Sequence, residues 1–156
     1  MHILEHGQGQ EKTLLFLPCT AEPVWAFEKT VALLAQSWHV FQVVYDGHEP
    51  SYPGDFTSVE QTVDEITDYL RAQGVTCLDA AYGCSLGGSF VGLLAARGNI
   101  RMDYGILGSS DLDQSSKFAA KLQTNLLLSL MFPMLRDGRF KSPLLQKRVE
   151  KQMRQM

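Results

Sequence analysis

Short apolar segments alternate with amphipathic segments of helical length along residues 1–111. This alternation is typical of βαβ units, in which the strands form a mostly parallel sheet and the helices cover both of its faces. The segment TLLFL at 13–17 shows it most clearly, because a strand buried on both faces should be continuously apolar. The sequence therefore predicts an α/β fold.

The predicted helices follow from apolar spacing and from capping residues. Ser58 is a predicted N-cap, Gln61 three residues later completes a capping-box pattern, and Gly74 is a plausible C-cap. The other predicted helices are Val24–Gln36 and Ser85–Arg97. The predicted strands are His2–His6, Thr13–Leu17, His39–Tyr45, Cys77–Tyr82 and Met102–Leu107.

The last part of the chain differs in pattern and in charge. Residues 112–156 predict helices only, at 117–135 and 143–155, separated by a turn at Asp137-Gly138. Residues 1–116 hold 5 basic and 15 acidic side chains, whereas residues 117–156 hold 9 basic and 2 acidic ones. We therefore expect a core at 1–111 and a distinct helical segment at 112–156.

The composition excludes several classes of protein. With 45% apolar and 20% charged residues, the chain is expected to fold as a globular domain. The N-terminus shows no secretory signal, and the longest apolar run is too short for a membrane span, so we expect a cytoplasmic protein. The three cysteines are expected to be reduced and interior, and the four histidines lack the spacing of a metal site.

Residues 83–87 read Gly-Cys-Ser-Leu-Gly, the G-x-S-x-G pattern of a nucleophile elbow. A serine on a sharp turn between strand and helix adopts a strained backbone, and neighbouring segments approach it closely. Gly83 and Gly87 meet the need for positions without side chains. At the start of a helix, the N–H of Leu86 could stabilise an oxyanion formed beside Ser85. The alternative is a glycine-rich turn with an ordinary cap serine.

With this elbow in place, the chain resembles the α/β-hydrolases from about residue 13 to 111. The family places an oxyanion-hole residue in the loop after the strand at 13–17, which here reads PCTAEPVW. Pro18 and Cys19 stand where the family has His-Gly, and the resemblance implies that the N–H of Thr20 is the second oxyanion donor. Alternatively, Thr20 caps the following helix. The segment Asp46-Gly47-His48 resembles a shortened Asp-x-x-Gly-His segment of the family, which makes His48 a turn residue or else an active-site neighbour.

The resemblance fails in the catalytic triad. Family members follow the order Ser, acid, His, and no histidine follows Ser85. Asp111 is a candidate acid, although it also suits a turn or helix cap. Without a base the serine is a poor nucleophile, so we expect the chain to be inactive or weakly active, and to be a truncated form.

The function implied by the resemblance is a serine hydrolase that cleaves an ester or related small-molecule acyl substrate. No cofactor or metal is expected, because acyl transfer through serine needs only base, acid and oxyanion donors. Residues 112–156 would be its cap or lid, and surface left open by missing strands would cause self-association. No nucleic-acid partner is expected. The alternatives are an acyltransferase using the same serine, a non-catalytic binding protein and an interaction protein with a basic tail.

Overall fold

The computed structural model describes residues 1–20, 22–110, 121, 122, 124–126 and 129. The chain divides into two compact units, Met1–Leu112 and Asp113–Met156. The described residues of the second unit are helical, as the pattern in 117–135 predicts. Asp111, the candidate acid, and the other residues of the predicted cap at 112–156 lie outside the described residues.

The first unit is built on a five-stranded sheet in the order β1-β3-β2-β4-β5. Only β1 is antiparallel to its neighbour, so the sheet is mostly parallel, which confirms the predicted fold class. The carboxyl ends of β2 to β5 therefore meet at one edge of the sheet. The strands are β1 (His2–His6), β2 (Thr13–Leu17), β3 (His39–Val44), β4 (Cys77–Cys84) and β5 (Arg101–Gly108).

Three helices connect these strands: α1 (Glu28–Leu34), α2 (Val59–Ala72) and α3 (Leu86–Arg97). The single helix predicted at Val24–Gln36 was wrong in detail, because its first turn, Val24–Phe27, is a 3₁₀ helix and α1 ends at Leu34. Such turns are frequent at helix termini.

The predicted cap at Ser58 is confirmed, since its Oγ accepts the Gln61 N–H at 3.1 Å. The return bond of a capping box is not among those observed. Instead the Gln61 side-chain amide donates to Glu65 Oε1 at 3.0 Å. At the far end of α2, the C-cap is Gln73 and Gly74 follows it at φ 76°.

Helices cover both faces of the sheet, as expected. The α2 and α3 side chains pack on one face in the larger core cluster, which includes Leu15, Phe41 and Phe90. The other face packs against α1 through Leu14 and Phe16. Leu14 to Leu17 of β2 are all apolar because their side chains enter both clusters, whereas Thr13 at the start of the strand donates to Asp79.

Strand β5 lies at the edge of the described sheet and exposes large apolar side chains. Tyr104 is 71% exposed and Ile106 is 49% exposed. Beside them a cavity of about 520 Å³ opens on the α1 face and is lined by Phe16, Trp38 and other apolar residues. None of the helices in the described part of the chain is long and apolar enough to cross a membrane.

Candidate active site

Ser85 lies between β4 and α3, where it is exposed and serves as the N-cap residue of the helix. Its backbone has φ 52° and ψ −114°, so the expected positive φ is confirmed. A non-glycine residue in such a conformation costs about 1–3 kcal/mol and persists only when its surroundings impose it. The Ser85 side chain makes no capping hydrogen bond, which does not support the alternative of an ordinary cap serine.

The glycines two residues before and two after Ser85 are sterically required. A Cβ on Gly83 would clash with the backbone of Gly87, and a Cβ on Gly87 would clash with the carbonyl group of Leu17. Both contacts are with backbone atoms that cannot rotate away. The predicted reason for the spacing is therefore confirmed.

A further close approach, between Gly88 and Ser110, was not indicated by any pattern in the sequence. A Cβ there would overlap the Ser110 side chain, whose Oγ donates to the carbonyl oxygens of Ser85 and Gly108 at 3.2 Å each. The Ser85 N–H in turn donates to the Gly108 carbonyl at 2.8 Å. Gly108 at the end of β5 and Ser110 after it thus hold the strained turn in place.

Leu86 is the first residue of α3, so its N–H has no acceptor within the helix. The positive end of the helix dipole adds to the potential at this point. An N–H group without an acceptor in the helix therefore lies next to Ser85.

Thr20 lies in the loop after β2, directly beside the strand that leads to Ser85. Leu17 of β2 pairs with Gly83 of β4. A Cβ on Gly87 would also lie 2.9 Å from the Pro18 carbonyl oxygen, so the first turn of α3 packs against the start of this loop. Thr20 itself is exposed. The structure thus brings its loop to the same edge of the sheet as Ser85.

The alternative that Thr20 caps the following helix is wrong. The N-cap of the 3₁₀ turn Val24–Phe27 is Pro23, which lies three residues further on. The loop is held instead by Glu22, whose Oε2 accepts the Cys19 N–H at 3.2 Å.

Tyr45 also bonds to the loop after β2, a contact that no pattern in the sequence indicated. Its hydroxyl donates to the Pro18 carbonyl at 3.0 Å, and its ring packs against Phe90 of α3 with centroids 4.9 Å apart. Burial raises the pKa of the Tyr45 hydroxyl, so it stays protonated as a donor. One buried side chain therefore connects β3, the loop with Thr20 and the helix that follows Ser85.

The cysteines are free, as expected, but the expectation that they are interior was wrong, because Cys19, Cys77 and Cys84 are only partly buried. Burial, Cys84 and Glu22 raise the pKa of the Cys19 thiol to about 12. Cys19 lies in the loop after β2, and Cys84 directly precedes Ser85. No group of three potential metal ligands occurs within the described residues.

His48 is a turn residue, as the sequence favoured. Its N–H donates to the Tyr45 carbonyl at 3.2 Å, and its Nδ1 lies 3.0 Å from the Asp46 carbonyl oxygen. It follows β3, which is separated from β4 by β2. No hydrogen bond joins a histidine to Ser85 in residues 1–20 and 22–110.

Two of the other histidines lie at the end of the sheet where the parallel strands begin. His39 begins β3 and pairs with Glu5 at 2.7 Å, while His6 lies 3.1 Å from Gln42. His2 packs against Tyr52. His39 therefore has a carboxylate partner of its own.

No protein-family model matches the sequence, and the comparison with curated proteins finds no match either. Solved structures do match. A protein from Desulfitobacterium hafniense described as an α/β-hydrolase family member superposes with a TM-score of 0.74 and 20% identity over 92% of this chain. The fold is that of the α/β-hydrolases.

Two further α/β-hydrolase-like structures extend the comparison. A hydrolase from Pseudomonas aeruginosa gives a TM-score of 0.69 at 17% identity over 94% of this chain. A monoacylglycerol lipase from Paleococcus ferrophilus gives 0.62 at 21% identity over 83%. The present chain spans 57%, 57% and 52% of these three proteins, so it has the fold of roughly half of each.

Proposed function

We propose that this chain carries the nucleophile of a serine hydrolase that cleaves an ester or related acyl bond. The observation that carries the proposal is the positive φ of Ser85 between two glycines that its neighbours require. A backbone conformation that costs free energy without stabilising the fold in return is typical of functional sites. Among the similar structures, a monoacylglycerol lipase and an N-acyl homoserine lactone degrading enzyme support acyl substrates.

In the proposed reaction, Ser85 Oγ bonds to the acyl carbon while a base removes its proton. The carbonyl oxygen becomes an oxyanion, which the N–H groups of Leu86 and Thr20 stabilise. The alcohol leaves with the proton from the base, and Ser85 remains bonded to the acyl group. Water then attacks the acyl carbon and gives a proton to the base, and the acid is released as Ser85 takes that proton back. Placement of the Thr20 loop beside the first turn of α3 supports this pair of donors.

The general base is missing from this scheme. No histidine follows Ser85 in the sequence, and the described histidines have other partners or lie elsewhere in the sheet. We propose that a histidine from outside these 156 residues completes the site, and that the chain alone reacts slowly. Asp111 is the proposed acid, and residues 112–156 are the proposed cap.

A fluorophosphonate probe tests the nucleophile without requiring turnover. Ser85 Oγ would bond to phosphorus and fluoride would leave, with the proton going to an added base. We expect slow labelling of Ser85 in buffer and faster labelling with imidazole, by about 10²-fold at most, the lower end for general-base catalysis. Peptide mass spectrometry locates the adduct.

Ser89, which lies within α3 itself, provides a matched control. Ser85→Ala should abolish the imidazole-dependent adduct, whereas Ser89→Ala should leave it unchanged. Equal labelling of Ser85 and Ser89, with or without imidazole, would contradict a nucleophilic role for Ser85.

The absence of a histidine after Ser85 also favours a second candidate, a non-catalytic binding protein that retains the elbow. This candidate expects no covalent adduct at Ser85 under any buffer condition. It also expects acyl ligands to bind Ser85→Ala as tightly as the unchanged chain, which isothermal titration would measure.

A further inference from the structure

Cys84 is the last residue of β4, directly before the strained turn at Ser85, and Cys19 lies in the loop that follows the neighbouring strand β2. Leu17 pairs with Gly83, so the residues that follow β2 and those that end β4 leave the sheet side by side. Neighbouring strands are about 4.8 Å apart. Because Cys19 comes two residues after Leu17 and Cys84 one residue after Gly83, the register places the two cysteines close to each other, and a disulfide needs Cα atoms about 4.4–6.8 Å apart.

The two side chains also face the same region. A Cβ on Gly108 would lie 3.7 Å from Cys84 Sγ and 3.4 Å from the Tyr82 hydroxyl, which places Cys84 with Tyr82 on the face covered by α1. Cys19 lies in the loop that leads to α1, where Glu22 holds its N–H. Cys84 also contributes to the raised pKa values of the Cys19 thiol and the Tyr82 hydroxyl, as expected for groups that lie close together.

We propose that Cys19 and Cys84 are a redox pair that forms a reversible disulfide with a disulfide oxidant such as oxidised glutathione. The Cys84 thiolate attacks the oxidant and forms a mixed disulfide, and one glutathione thiol leaves. Cys19 then loses its proton to solvent and attacks Cys84 Sγ, and the second glutathione leaves. The pair loses two hydrogen atoms and the oxidant gains them.

The order of these steps follows from the surroundings of Cys19. Burial and the nearby Cys84 and Glu22 raise its pKa to about 12, so it holds its proton at neutral pH. Cys84 is therefore the attacking thiol, and Cys19 is the resolving one.

The cross-link would join the loop of Thr20 to the turn of Ser85. Its effect on catalysis rests on the proposed function, since these segments would carry the oxyanion donors and the nucleophile. Formation of the disulfide does not depend on that function. A test that reads only the covalent bond therefore separates the two proposals.

Cys77 can be removed from the test without disturbing the pair. It begins β4, at the opposite end of the strand from Cys84, and its Sγ accepts from Arg101 Nε at 3.1 Å. Cys77→Ser is therefore the starting protein. Trypsin would release Cys19 in peptide 13–29 and Cys84 in peptide 72–97, which makes the cross-link directly visible.

The folded Cys77→Ser protein is equilibrated with oxidised glutathione, quenched with acid, alkylated and digested. We expect peptides 13–29 and 72–97 joined by a disulfide within one chain, which dithiothreitol reverses. Adding Cys19→Ser should instead leave Cys84 as a stable mixed disulfide with glutathione. The proposal is overturned if both thiols of the folded protein are alkylated after this treatment, or if the disulfide joins two chains on a non-reducing gel.

Discussion

Gly87→Ala should destabilise the protein although alanine is the better helix former. Alanine in a helix interior is favoured over glycine by about 0.8–1.0 kcal/mol, and Gly87 lies in α3 without a positive φ. Against this gain, the new methyl group would clash with the carbonyl group of Leu17, a fully buried residue of a central strand. Overpacking of this kind costs about 1–3 kcal/mol and occasionally more.

The steric cost should win because neither contacting segment can move freely. β2 pairs with strands on both sides, and the first turn of α3 is held by the Ser85 N–H bond to Gly108. With the upper end of that cost, about 3 kcal/mol, and a helix gain of about 1 kcal/mol, we expect a net loss of about 2 kcal/mol. With an m-value of about 1–3 kcal/mol per molar urea, the midpoint should fall by roughly 1 M.

Gly105→Ala is the matched control for this experiment. A Cβ at Gly105 would lie 3.4 Å from Val91 Cγ1, an ordinary contact, and the residue has no positive φ. Its midpoint in urea, followed by circular dichroism, should be unchanged or higher because glycine weakens a strand interior by about 0.5–1 kcal/mol. If Gly87→Ala unfolds at the same urea concentration as Gly105→Ala, the close approach at the turn does not exist.

Three further changes test the surroundings of the site by urea unfolding. Ser85→Gly should be more stable than Ser85→Ala by about 1 kcal/mol, because glycine relieves the positive φ; a more stable Ala variant would contradict the strain. Tyr45→Phe should cost about 1–2 kcal/mol, because the buried Pro18 carbonyl loses its donor, and an unchanged midpoint would show that it does not. The Tyr69 hydroxyl, more than His39, lowers the pKa of Glu5 below its ordinary 4.5. The stability that the ionised Glu5 carboxylate contributes is therefore complete above pH 4.5 and is lost as the pH falls through the lowered pKa. Glu5→Gln should flatten the acid side of the profile of urea midpoint against pH. Parallel profiles for the two proteins would refute this.

The strands and the elbow could be predicted because their causes are local. A strand buried on both faces is continuously apolar over most of its length, so the run LLFL within TLLFL at 13–17 identified β2 with the observed bounds. The glycines around Ser85 could be predicted because a sharp turn leaves no room for side chains two residues before and two residues after the serine. The capping serine at 58 has the same local character.

The contacts that hold the turn could not be predicted in this way. Ser110 reaches Ser85 from 25 residues away, and Tyr45 reaches Pro18 across 27. Such pairs produce no periodic pattern in the sequence. A serine or tyrosine that makes a long-range contact has the same kind of local sequence as one that makes none. The expectation that the cysteines are interior failed for a related reason, because the burial of a thiol depends on which strand ends lie beside it.

The sequence by itself determined an α/β chain with a serine between two glycines at the end of a buried strand, because apolar periodicity and turn sterics act over a few residues. Only the tertiary structure decided what surrounds that serine. The strand order β1-β3-β2-β4-β5 places the loop of Thr20 and Cys19 next to Ser85 and leaves His48 beyond β2. Strand order depends on the packing of side chains distant in sequence, and the chemistry available at Ser85 depends on which loops that order brings together.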